Sequence, residues 1–158
     1  MTYPGSNFAE HLAFHRDNPF APADIGNWET YTPTLTNLNL GSTGTVEGHY
    51  AQVGDVVVVR IIAQLGGTGI SFGDARFSLP VQSLSGTGVP MAGQVYLTDS
   101  GSRVYFATPF HQGTDTVRVR VPRVFGDYLD ITNLSATVPF TWVAGDDIRI
   151  QAAYLKAH

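Results

Sequence analysis

Turn-forming clusters interrupt most of this chain so often that no long helix fits between them. They fall at Gly41-Ser42, Gly54-Asp55, the GGTG of 66–69, Gly73-Asp74, the SGTG of 85–88, the DSGS of 99–102, the HQGTD of 111–115, Gly126-Asp127 and the AGDD of 144–147. Glycine supplies positive φ in such places and Asp hydrogen-bonds its own backbone. Between the clusters lie ARFSLPV, AGQVYLTD, RVYFATPF, TVRVRVP, YLDITN and DIRIQAAYL. TVRVRV alternates residue by residue, which predicts Val117, Val119 and Val121 facing inward and Arg118 and Arg120 outward. Roughly eight to ten short strands at about 8–12 residue spacing predict an all-β fold, an antiparallel β-sandwich of jelly-roll-like type. No self-similar period is visible, which argues against propellers and solenoids.

The stretch GTVEGHYAQVGDVVVVRI, residues 44–61, joins two kinds of strand through the turn Gly54-Asp55. Its first half alternates, with Val46, Gly48 and Tyr50 on one parity and Glu47, His49 and Ala51 on the other. The run from Val56 to Ile62 is almost continuously apolar and predicts a central strand buried on both faces. Tyr50 and His49 then fall near a rim or an inter-subunit groove. An ordinary two-layer core with Tyr50 at a corner fits the same pattern. Upstream, WETYTPTLTNLNL carries Pro33, tolerated only at an edge strand or a bulge.

Residues 1–27 differ in character and form a separate segment ahead of a β domain spanning 28–158. Asn7 and Glu10 have capping-box spacing and predict a short N-terminal α-helix. Phe8, Leu12 and His15 share one face of it, and the Pro-rich NPFAPADIG that follows is a stiff connector. Three helical turns are marginal in water alone. Phe8, Leu12, Phe14 and His15 are therefore expected to anchor the segment to a partner. His11 and His15 stand four apart, a spacing that binds metal when other ligands converge. Two histidines alone do not make a site, so no metal is expected.

Charged residues form only 14% of the chain and the net charge is −4, with basic residues scattered. That argues against nucleic acid, whose phosphates need clustered Lys and Arg. There is no cysteine, so thiolate metal sites and disulfides are excluded. The opening MTYPGSNFAEHL has neither a basic start nor an apolar core and does not read as a secretory signal. No apolar run approaches the ~20 residues of a membrane helix. A surface rich in Thr, Ser, Asn, Gln and Gly is common in extracellular and virion proteins.

WETYTPTLT, GTVEGHYAQVGDVVVV, FSLP and FTWVAGDDIRIQAAY, taken in this order, resemble the β-structured terminal domains of bacteriophage minor tail, tail-fibre and receptor-binding proteins. The resemblance runs from Trp28 to about Lys156. It implies a sandwich-like, homotrimeric, non-enzymatic virion protein, tail-associated and working in particle assembly or host-surface attachment. Here only a short helix and connector precede the domain, where a long shaft is usual. A separate virion subunit, such as a capsid decoration or head-fibre protein, therefore also fits. The implied partners are further copies of the chain, other phage virion proteins reached through the N-terminal segment, and host cell-surface polysaccharide.

Catalytic chemistry has little support in the residues. Asp55, Asp74, Asp99, Asp127, Asp146 and Asp147 sit in turn contexts that account for them. No nucleophile elbow, HExxH or phosphate loop is present. No catalytic residue and no cofactor is expected. The most suggestive stretch is VYFATPFHQG, where Tyr105, Phe110, His111 and Gln112 could offer a saccharide an aromatic platform and amide hydrogen bonds. Loops at 66–73 and 109–115 are the expected recognition loops. The competing expectation for that stretch is that alternation buries two of its rings. A carbohydrate-binding module is thus a further functional class, and Trp28 and Trp142 are expected to be structural.

Overall fold

The computed structural model describes residues 27–158. The predicted N-terminal helix, the connector up to Gly26 and the anchor residues Phe8, Leu12, Phe14 and His15, with His11, lie outside the described residues. The described chain is all β. Its strands are β1 (Glu29–Tyr31), β2 (Leu35–Asn39), β3 (Thr45–Val53), β4 (Val56–Gln64), β5 (Ser71–Ser78), β6 (Ala92–Asp99), β7 (Arg103–His111), β8 (Thr116–Phe125), β9 (Tyr128–Asn133) and β10 (Asp147–Leu155). They form one curled antiparallel sheet in the order β1-β3-β4-β10-β6-β7-β8-β5-β2, with β9 paired to β8 off this path.

The curl follows from connectivity. β1 and β2 are separated only by Thr32, Pro33 and Thr34, yet they occupy opposite ends of the strand order. The sheet must therefore bend round, as a half-barrel, until its ends meet across that link. They are joined there by hydrogen bonds. The Thr34 N–H donates to Ser78 Oγ at 2.8 Å, and the Ser78 N–H donates to the Thr34 carbonyl at 2.9 Å. The Tyr31 hydroxyl donates to the Ser78 carbonyl at 3.2 Å. Tyr31 can cross the gap because Gly48 lies beneath its ring; a Cβ at Gly48 would stand 2.3 Å from Tyr31 Cε1. Pro33, which has no N–H to offer a ladder, sits in the link between two edge strands.

The concave face is the core. β4 contributes Val57, Val59, Ile61 and Ala63, β10 Ile148, Ile150, Ala152 and Tyr154, and β8 Val117, Val119 and Val121. Val95, Leu97, Ala75 and Phe77 complete it. Loops close both ends. At one end Trp142 is buried in the 134–146 loop, its Nε1–H donating to the carbonyls of Ser135 and Val138 at 3.0 and 3.2 Å. Its ring lies between Phe72 at 4.7 Å and Phe140 at 4.3 Å. At the other end the loop through Leu79, Ser83 and Met91 packs inward, and the Tyr154 hydroxyl donates to the Val81 carbonyl at 2.8 Å.

Two expectations are corrected and one is narrowed. The run Val56–Ile62 is a central strand, and the chain's own described residues bury one of its faces. Val57, Val59 and Ile61 are sealed in the core, while Val56, Val58 and Arg60 are exposed. A single curled layer has only one covered face, and no second layer lies over the other among the described residues. Gly73-Asp74 is not a turn, since β5 runs through it. Opposite it, Asn37 takes a left-handed conformation (φ 56°) and the β2–β5 register shifts between Thr36 and Leu38, a bulge beside the close approach of Gly73. Trp28, finally, is 56% exposed and lies outside the core, unlike Trp142.

Candidate functional site

The residues expected to bind saccharide do not form one surface. Strand parity on β7 splits them. Tyr105 and His111 share the inward parity with Ala107, whereas Phe106 and Phe110 face outward. His111 is buried, its ring edge-on to Tyr154 at 5.9 Å and its Nε2 3.5 Å from Ser83 Oγ. Its Nδ1 has no hydrogen-bond partner among the described residues. Burial lowers the His111 pKa below the ordinary imidazole value, which favours a neutral ring in this core position. Tyr105 packs on Phe140 at 5.2 Å and helps close the aromatic end of the core. Phe110 lies half-buried under the Arg120 guanidinium at 4.8 Å. Gln112 is half-buried beside the turn, where its backbone carbonyl accepts the Thr116 hydroxyl. The predicted recognition loop at 109–115 is thus partly strand, because β7 extends to His111.

The acids divide in the same way. Asp74 lies in β5 between two arginines, bonded to Arg76 at 2.7 Å and to Arg118 at 3.4 Å. Burial pushes its carboxyl up, but the Arg76 hydrogen bond and the charges of Arg118 and Arg76 outweigh it and hold it below the usual range. Arg118, predicted to face outward, does so beneath this pair and is only 12% exposed. Asp146 is fully buried and accepts two backbone N–H groups. Asp147 opens β10 and grips Arg149. Among the described residues no three His, Asp or Glu side chains converge as metal ligands, and no helix is long and apolar enough to cross a membrane.

What stands apart is the β8–β9 hairpin. Beyond Val121, β8 has only β9 as a neighbour, and every residue from Pro122 to Ile131 is exposed. Gly126 (φ 60°) starts the tight turn with Asp127. Parity gives the arm two unlike faces. One carries the Arg123–Asp130 ion pair at 2.8 Å, with Arg123 over the Phe125 ring at 5.2 Å and Phe125 opposite Tyr128. The other carries Pro122 opposite Ile131 and Val124 opposite Leu129, with no polar side chain among the four. Val124 is 76% and Leu129 81% exposed. Pro122 also lines a cleft of about 510 Å³ with Phe106, Thr108 and Gln151, so the apolar face continues onto the sheet. The sequence hid this arm, because YLDITN reads as an ordinary strand and nothing in it says that β8 outruns its other neighbours.

Comparison of the chain with protein-family models, with curated proteins and with solved structures finds no match. A two-stranded arm is marginally stable in water on its own, and a four-residue apolar face at its tip has no role in the core below. Chemically the arrangement suits docking. Large exposed apolar patches mark interaction sites more often than they occur idly.

Proposed function

We propose that the protein is a non-enzymatic structural subunit of a bacteriophage particle, tail-associated, acting in assembly and in attachment to the host surface. In this reading the curled sheet serves as the sandwich-like body of a homotrimer and the β8–β9 hairpin is the arm by which copies engage. The hairpin carries the reading. Pro122, Val124, Leu129 and Ile131 present an apolar face that nothing in the chain's described residues covers. A second apolar area supports self-association. Val53, Val56, Val58 and Leu155 are all exposed on the outer face of neighbouring strands β3, β4 and β10. Residues 1–27 would then serve as the anchor to other particle proteins.

The test is mass by light scattering, followed by imaging of particles that carry labelled protein. The expected result is three times the 17.0 kDa chain and a label at the tail. A label over the capsid would move the protein to the decoration or head-fibre role. A strict monomer absent from particles would overturn the reading.

A further inference from the structure

The outer face of the sheet carries a polar cleft that neither the core nor the hairpin accounts for. Register sets it out. On adjacent strands, Arg60 of β4 lies opposite Gln151 of β10, and Arg149 of β10 lies opposite Tyr96 of β6. Arg60 and Arg149 are thus diagonal neighbours on one face, roughly 7–8 Å apart at the backbone. With Thr98, Val104, Tyr96 and Gln151 they line a cleft of about 290 Å³. Arg60 is shared with a second cleft of about 220 Å³, where it meets Trp28 and His49.

Two like charges placed side by side repel unless something anionic lies between them. The side-chain row through Arg60 offers nothing of the kind, since its neighbours are His49 and Gln151. Arg149 is fixed from one side only. Its Nε donates to Asp147 Oδ1 at 3.0 Å and its Nη2 to Asp147 Oδ2 at 2.9 Å, while the Thr98 hydroxyl donates to the same carboxylate at 3.0 Å. Asp147 is itself buried. This chain of bonds holds the Arg149 guanidinium in place and leaves Nη1 unused. Glu47 shares this outer face but sits on β3, with Ile62 between it and Arg149.

We infer that the paired clefts bind an acidic sugar unit of a glycan chain. Its anionic group would take the guanidinium donors of Arg60 and Arg149, its hydroxyls the Gln151 amide and Thr98, and the adjoining ring the exposed face of Trp28. Guanidinium forks match carboxylates, and amphipathic rings stack on indole. A protein partner fits less well, because an interface core is depleted of charge and a bound strand needs a free edge, whereas β4, β10 and β6 are all interior. A nucleic acid is disfavoured by the net charge of −4. The inference gives the attachment half of the proposed function a ligand class, and it involves none of the hairpin's apolar residues.

The experiment titrates the full chain with oligogalacturonate and with its carboxyl-reduced counterpart, followed by calorimetry and by tryptophan fluorescence. Trp142 is buried, so a change in emission reports on Trp28. Oligogalacturonate is expected to bind and to shift that emission, with the reduced oligomer at least about tenfold weaker. Arg60→Gln should weaken binding about tenfold, with Arg60→Lys intermediate, since Lys keeps the charge and loses the fork. Arg60 is exposed, so both variants should melt like the wild type. Leu129→Ser should bind normally even if it no longer assembles, which separates failure of this site from failure of the assembly reading. Absence of binding to oligogalacturonate, equal binding of the two oligomers, or wild-type affinity in Arg60→Gln would each overturn the inference.

Discussion

Asp146 holds Ser100 across 46 residues of chain: the buried carboxylate accepts the Ser100 N–H at 2.9 Å through Oδ1. Its other oxygen accepts the Val143 N–H at 2.7 Å, and its own carbonyl accepts the Leu65 N–H at 2.9 Å. One residue thereby ties the end of β4, the β6–β7 turn and the start of β10. Asp146→Ala leaves two N–H groups without their acceptor, at a cost of about 2–4 kcal/mol. A fall in Tm of roughly 10 °C is expected, with Asp146→Asn recovering part of it. Differential scanning calorimetry measures both.

The hairpin behaves oppositely. Among the described residues Val124 and Leu129 are largely uncovered, so Val124→Ser with Leu129→Ser should change monomer stability by less than about 0.5 kcal/mol. The same pair should shift the light-scattering mass toward 17.0 kDa at micromolar concentration. Unchanged mass would show that copies meet elsewhere, with the valines at 53, 56 and 58 next to be tested.

His111 gives the fold a pH dependence of known sign. Burial lowers its folded pKa below the unfolded value of about 6.5, so the unfolded chain binds the extra proton first. Its contribution to stability is complete above pH about 6.5 and is lost as pH falls through the folded pKa. Asp74 and Asp130, both held below the ordinary carboxylate range, act only at lower pH. Denaturant midpoints between pH 7 and 5 should therefore decline in the wild type, and the slope should shrink in His111→Gln.

Gly48 is the support for the closure of the sheet. Gly48→Val drives its side chain into the Tyr31 ring and should cost about 1–3 kcal/mol as the ring swings out and loses Ser78. Burial, with Tyr154 close by, keeps the Tyr31 phenol well above its ordinary pKa, and Tyr154 itself is pushed up to about 12. In the variant one additional tyrosine should ionise near pH 10 in an ultraviolet titration.

Much of the strand content was legible because most strands are set apart by clusters of Gly, Asp, Ser or Pro. AGQVYLTD, YLDITN and DIRIQAAYL coincide with β6, β9 and β10. Parity placed Val117, Val119 and Val121 correctly, since alternation is a local property. What failed was set by distant partners. Val56–Ile62 looks doubly buried until one knows that, among the described residues, no second layer covers it. Gly73-Asp74 looks like a turn until Asn37 is placed opposite. His111 looks like a loop residue until β7 is seen to run on past Pro109. The Arg60–Arg149 cleft was invisible in sequence, because residues about ninety positions apart meet only through the insertion of β10 between β4 and β6.

That insertion has a consequence for biosynthesis. β10 pairs with β4 along Val56–Gln64 on one side and with β6 along Ala92–Thr98 on the other, so the middle of the sheet is vacant until residue 155 has left the ribosome. A nascent chain halted anywhere before Asp147 exposes the open edges of β4 and β6, two strands rich in Val, Ile and Leu, and unpaired edges of that kind invite aggregation. The two halves of the sheet are therefore joined only once β10 is in place, and each carries an unpaired edge until then.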